Sequence, residues 1–275
     1  MHSTLQDRIR QMLAGHEVVG VLGLREHEGA VGPHVFTAEE DTARLVVEPK
    51  WPLAKTGWMI VRSLPAGKAL GLVCRGCDIR AIEELVRAEQ IRPGALRTIG
   101  ISCSAGQAEV CLCETPFVPG EEPSVGVDPM SMPAVRRLCQ DPDRLNTWRE
   151  HFRRCIKCYG CRNSCPICVC PACKLEDDGY VTTGMVPPDP LAFHLIRTMH
   201  LADRCVGCGA CQDSCPSGLP LLSLHLAMRR ALRERTGNLN ATGALSLMLT
   251  ASHEDGTLWE DTLGSGKPGG GEYER

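Results

Sequence analysis

The chain has 275 residues, of which 17 are cysteine, with a formal net charge of −3 and only 4% aromatic residues. That length suffices for one large domain or two modest ones, and the charge gives no basis for a nucleic-acid-binding surface. An odd cysteine count excludes complete disulfide pairing within one chain.

The amino terminus, MHSTLQDRIR, lacks an apolar signal region. No run of about 18 apolar residues is present to span a bilayer. A reducing, cytoplasmic setting is therefore expected, in which closely spaced cysteines are metal ligands or redox thiols.

In chain order, residues 18–24 (VVGVLGL) predict a strand and residues 51–64 a helix opening after Pro52. Residues 69–73 (ALGLV) predict a second strand. Residues 78–90 predict a strong helix, with Ile79, Ile82, Leu85 and Val86 at helical spacing and Asp78 placed to cap it. Residues 96–101 predict a third strand. Strand, helix, strand in this rhythm predicts a parallel α/β domain over residues 1–113. Residues 114–140 begin rich in Pro, Gly and Glu and are read as a connector. A mostly helical dicluster ferredoxin domain is expected over residues 141–236, with helices at 143–154, 191–199 and 220–235 and a loop at Pro187, Pro188 and Pro190. Residues 237–275 are read as a C-terminal extension ending in a flexible, Gly-rich tail.

The chemistry lies in a repeated motif. Eleven cysteines fall between Cys155 and Cys215. Eight of them form CIKCYGCRNSCP and CVGCGACQDSCP, with identical spacing. Three thiolates two residues apart wrap a tight loop around three irons of a cubane, and small residues such as Gly160, Gly207, Gly209 and Ala210 let backbone N–H groups approach sulfur. The fourth cysteine lies on the following segment and reaches the other cluster. One [4Fe-4S] cluster is thus expected on Cys155, Cys158, Cys161 and Cys215, and the other on Cys205, Cys208, Cys211 and Cys165. Zinc also takes CxxC pairs, but a tetrahedral site needs only two of them. The helix between the motifs suggests a helical ferredoxin.

A third group follows the first motif directly: Cys168, Cys170 and Cys173 in CPICVCPAC. Cys77, at a strand-to-helix turn, and Cys103, past the next strand, would share the carboxyl edge of a parallel sheet, where such folds bind ligands. These five residues are candidates for a third [4Fe-4S] cluster. Cys74, Cys111, Cys113 and Cys139 are left without a role. Arg153, Arg154, Lys157 and Arg162 surround the first motif and would offset cluster charge, dock an acidic partner, or form a solvated face. His194, His200 and His225 read as surface or core histidines rather than ligands.

The stretches VCRGCDIRAIEEL, TIGISC, RCIKCYGCRNSCPICVCPAC and HLIRTMHLADRCVGCGACQDSCP together resemble the beta-subunit family of deazaflavin-coenzyme hydrogenases and formate dehydrogenases, in its ferredoxin-containing type associated with heterodisulfide-reductase-like complexes in anaerobes. The resemblance spans roughly residues 45–225. It implies an iron–sulfur electron-transfer subunit of a larger redox complex, relaying electrons between a dehydrogenase or hydrogenase subunit and a heterodisulfide-reductase-like flavoprotein. It also implies extra-cluster ligands among Cys77, Cys103, Cys168, Cys170 and Cys173. FAD is the weaker expectation: no GxGxxG follows a predicted strand, and few aromatics are available to stack a flavin ring. Two other functions are weighed: a flavin oxidoreductase subunit acting directly on a deazaflavin or nicotinamide coenzyme, and a zinc-binding assembly or regulatory protein.

Overall fold

A computed structural model describes residues 2–37, 42–118, 126–171, 173–176 and 190–236, and these belong to one compact unit. The expected loop at Pro187 and Pro188 and the C-terminal tail lie outside the described residues.

The chain opens with helix α1 (His2–Ala14), then strands β1 (Val21–His27), β2 (Ala30–Phe36) and β3 (Leu45–Val46). Helix α2 (Ala54–Val61), β4 (Leu70–Cys74), α3 (Gly76–Arg87) and β5 (Leu96–Gly100) follow, and α4 (Ala105–Val110) closes this part. β1, β4 and β5 run parallel, as the rhythm of the sequence predicts. β2 pairs antiparallel on the outer side of β1, and β3 pairs antiparallel with β1 beyond the end of β4.

All five residues of β4 are buried, so LGLVC reads as an unbroken apolar run because both sheet faces are covered. Val21, Val73 and Ile99 pack with Ile9, Met12 and Leu13 of α1 on one face. Leu22, Leu72 and Leu96 pack with Trp58, Ala81 and Leu85 of α2 and α3 on the other.

Asp78 caps α3 as expected, but from within the first turn and not from the cap position. The helix starts earlier, with Arg75 at its cap position, and Asp78 sits in its first turn. Its carboxylate accepts the N–H of Arg75 at 3.1 Å and those of Leu53 and Ala54 at 2.8 and 2.9 Å. One buried carboxylate thus satisfies orphan donors at the start of two helices.

The second half is helical: α5 (Pro133–Gln140), α6 (Arg144–Phe152), α7 (Gly160–Asn163), α8 (Pro190–Leu201), α9 (Ala210–Asp213) and α10 (Leu221–Thr236). α5 forms within the segment read as a connector. Trp148, Phe152, Phe193, Leu219, Leu221 and Leu224 make its core, into which Cys155, Cys161 and Cys211 also pack. Ile167, Leu201 and Val206 pack instead into the α2–α3 side of the sheet core, so the cysteine segments are anchored on the α/β layer.

Candidate iron–sulfur centres

The two motifs fold alike. Each runs from its first cysteine through an irregular loop into a one-turn helix, α7 or α9, and then to its fourth cysteine. The backbone is left-handed at Lys157 and Tyr159 in the first motif, with φ of 51° and 58°. At the equivalent positions, Gly207 and Gly209 adopt 68° and 76°. These turns aim N–H groups inward. Lys157 N–H points at Cys155 Sγ at 3.4 Å, and the N–H groups of Gly207 and Ala210 donate to the sulfurs of Cys205 and Cys208.

The two helices meet closely. The Ser164 hydroxyl donates to the Ala210 carbonyl at 3.1 Å and lies 2.9 Å from the Ser214 hydroxyl. A side-chain carbon on Gly160 would fall 2.8 Å from the Ser214 carbonyl oxygen, so only glycine permits this approach.

The fourth cysteines cross over, and the two thiol sets adjoin where Cys161 bears on Cys211. The charges of Cys155, Cys158 and Cys215 bear on Cys161, and those of Cys215 and Cys158 on Cys155. Cys165 bears on Cys205, Cys208 and Cys211. Burial pushes the thiols of Cys155, Cys161, Cys205, Cys208 and Cys211 up; a bound metal would supply the positive charge that deprotonates them. Among the described residues no three His, Cys, Asp or Glu side chains form a group able to hold one metal ion. A cubane spreads its thiolates over four irons, whereas zinc draws sulfur to about 2.3 Å. Facing thiols, inward N–H groups and close helix packing fit a cluster donor set.

The five third-cluster candidates occupy different surroundings. Cys168 hydrogen-bonds Cys165, which lowers the pKa of Cys165 and raises its own. The Cys168 carbonyl accepts from Lys55 Nζ, and Cys173 hydrogen-bonds Arg162. Cys170 is exposed. At Cys103, Arg75 Nη1 approaches the sulfur at 3.6 Å and the charges of Cys113 and Cys111 bear on it. Cys77 is half-buried near Asp78 and Cys208. Cys111 and Cys113, to which the sequence assigned no role, therefore lie beside Cys103.

Lys50, which the sequence did not single out, joins the two halves. Its Nζ donates to the Cys208 carbonyl at 2.8 Å and to Cys111 Sγ at 3.2 Å, and pairs with Asp213 at 3.1 Å. Burial disfavours its charge, but Cys111 and Asp213 outweigh that and raise its pKa.

The basic residues around the first motif have local partners. Arg153 pairs with Glu150, Arg162 with Glu176, and Lys157 lies over the Tyr159 ring. His194 and His225 are core residues, held neutral by burial and by the nearby Arg197, with pKa values lowered to about 4 and about 3. His200 is exposed.

Residues 197–217, which include the second motif, match the 4Fe-4S binding domain family. A stretch of 102 residues is 40% identical to the F420-dependent formate dehydrogenase subunit beta of Methanocaldococcus jannaschii, covering 37% of this chain and 27% of that protein. A 58-residue stretch is 48% identical to the F420-dependent formate dehydrogenase 1 subunit beta of Methanococcus maripaludis, covering 21% and 15%. The chain thus matches about a quarter or less of the length of these relatives. Over the matched stretches it is homologous to formate dehydrogenase beta subunits, as its motifs suggest. No described helix is long and apolar enough to cross a membrane.

Proposed function

We propose that this chain is an iron–sulfur electron-transfer subunit of a formate-dehydrogenase- or hydrogenase-type redox complex, carrying two [4Fe-4S] clusters with crossed ligation. Cys155, Cys158, Cys161 and Cys215 hold one, and Cys205, Cys208, Cys211 and Cys165 the other. The supporting observation is the sorting of the fourth cysteines: Cys215 stands with the first motif's thiols and Cys165 with the second's.

When bound, such clusters supply one-electron transfer. The chain's own residues hold them rigidly through packed helices, donate N–H hydrogen bonds to ligand sulfur, and keep bulk water from the buried sulfurs, which sets their potential. Electrons would pass between a dehydrogenase or hydrogenase subunit and a heterodisulfide-reductase-like flavoprotein. The homology to formate dehydrogenase beta subunits supports a place in such an assembly.

The proposal carries a third cluster with candidate ligands Cys77, Cys103, Cys168, Cys170 and Cys173; Cys111 and Cys113, beside Cys103, are further candidates. Iron and acid-labile sulfide analysis of anaerobically purified protein tests both parts: about 8 irons per chain for two clusters and about 12 for three. A preparation that holds zinc and no sulfide would sink the reading.

A further inference from the structure

Arg197, on α8, is only 3% exposed. Its Nη2 donates to the Cys161 carbonyl at 2.8 Å and approaches Cys168 Sγ at 3.9 Å. Its Nη1 lies 2.9 Å from His225 Nε2. A guanidinium is always the donor, so Nε2 accepts and His225 carries its proton on Nδ1. No carboxylate among the described residues pairs with Arg197.

A buried, unpaired cation is costly, and a neutral histidine does not offset it. Beyond the Cys161 carbonyl and His225, what surrounds the guanidinium is sulfur. Cys165, Cys168, Cys161 and Cys211 are the groups whose charge supports it. Cys161 belongs to one proposed cluster; Cys165 and Cys211 belong to the other. Four thiolates around a [4Fe-4S] core leave a net negative charge, which deepens by one on reduction. A fixed cation in a low-dielectric wall stabilises the reduced form more than the oxidised one.

Resting on the twin-cluster reading, we infer that Arg197 is a shared counter-charge to both clusters, a positioning residue that raises their reduction potentials together. Its contacts also tie α8, α7 and α10 at the point where the two thiol sets adjoin. His225 fixes the orientation of the guanidinium fork and adds no charge of its own.

The test is an EPR-monitored redox titration of iron- and sulfide-reconstituted wild type, R197Q and R197K at neutral pH. Gln keeps polarity without charge; Lys keeps charge without the fork. In R197Q both clusters should lose at least tenfold in electron affinity, about 59 mV for a one-electron couple, while R197K should retain most of the wild-type potential. Loss of iron from R197Q with retention in R197K also supports the inference, because the charge is then needed to hold the clusters. Unchanged midpoints in R197Q, equal shifts in both variants, or equal loss of iron from both would overturn it and leave Arg197 a packing residue. Wild type that binds no iron and sulfide fails the twin-cluster reading instead, a separate outcome.

Discussion

The hydroxyls of Ser164 and Ser214, which occupy the same position in the two motifs, meet at 2.9 Å where α7 packs on α9. The pair links the two halves of the repeat directly, next to Cys165 and Cys215. Because either serine alone leaves its partner's hydroxyl part-buried without that bond, we expect Ser164→Ala and Ser214→Ala each to cost about 1 kcal/mol. The double variant should cost less than the sum, and a double-mutant cycle from urea unfolding reads the coupling. Strict additivity would mean that the hydroxyls do not interact in solution.

Lys157 and Gly207 share a left-handed backbone in equivalent positions. A side chain costs roughly 1–2 kcal/mol in that conformation. We expect Gly207→Ala to destabilise by about that amount, and Lys157→Gly to be neutral or stabilising despite glycine's greater unfolded-state entropy. Thermal unfolding of the two variants checks the asymmetry. Equal losses would contradict the shared loop geometry.

Lys50 links the α/β layer to the second motif through the Cys208 carbonyl and Asp213. Removing it as Lys50→Met strips a charged donor from the Cys208 carbonyl. Hydrogen bonds to charged groups contribute about 1.5–3 kcal/mol, so a loss of that order is expected. The second motif should also lose its cluster faster to an iron chelator than the first. A variant with wild-type stability and equal chelation rates would show that the contact carries no load.

His194 and His225 tie stability to acid. Their folded pKa values, about 4 and about 3, lie below the unfolded value of 6.5. Between those limits the unfolded chain binds more protons than the native one. The stability they contribute is therefore complete above pH 6.5 and is lost as pH falls toward 4 and then 3, by about 1.4 kcal/mol per pH unit for each histidine. Replacing His194, which stacks on Phe152 at 4.6 Å, by Phe should flatten the slope of unfolding free energy against pH between 6 and 4. An unchanged slope would count against its buried neutral state.

The cysteine motifs were legible in the sequence because cluster chemistry dictates both residue type and spacing. The parallel strands were legible because a sheet covered on both faces demands unbroken apolar runs such as LGLVC. β2 was not, since its residues are mostly half-exposed and include Gly32 and Pro33, which argue against a strand. β3, two residues long, carries no periodicity at all. The role of Asp78 depends on Leu53 and Ala54, some 24 residues away, a contact that no local pattern encodes. Arg197 left one trace, a lone arginine inside the apolar run LAFHLIRTMHL, which only its surroundings explain. The approach of Cys103 to Cys111 and Cys113 was not legible either; Cys103 N–H donates to the Pro116 carbonyl at 2.8 Å, a contact across 13 residues.

Crossed ligation is the central claim, and one comparison reads it directly. Cys155→Ala, Cys205→Ala and Cys215→Ala proteins are reconstituted with iron and sulfide, and the surviving clusters are titrated by EPR. Cys215 follows the second motif in sequence, yet its loss should leave the same cluster as the loss of Cys155, with matching midpoint and spectrum. If the Cys215→Ala protein instead matches Cys205→Ala, each motif holds its own cluster and the crossed assignment is wrong.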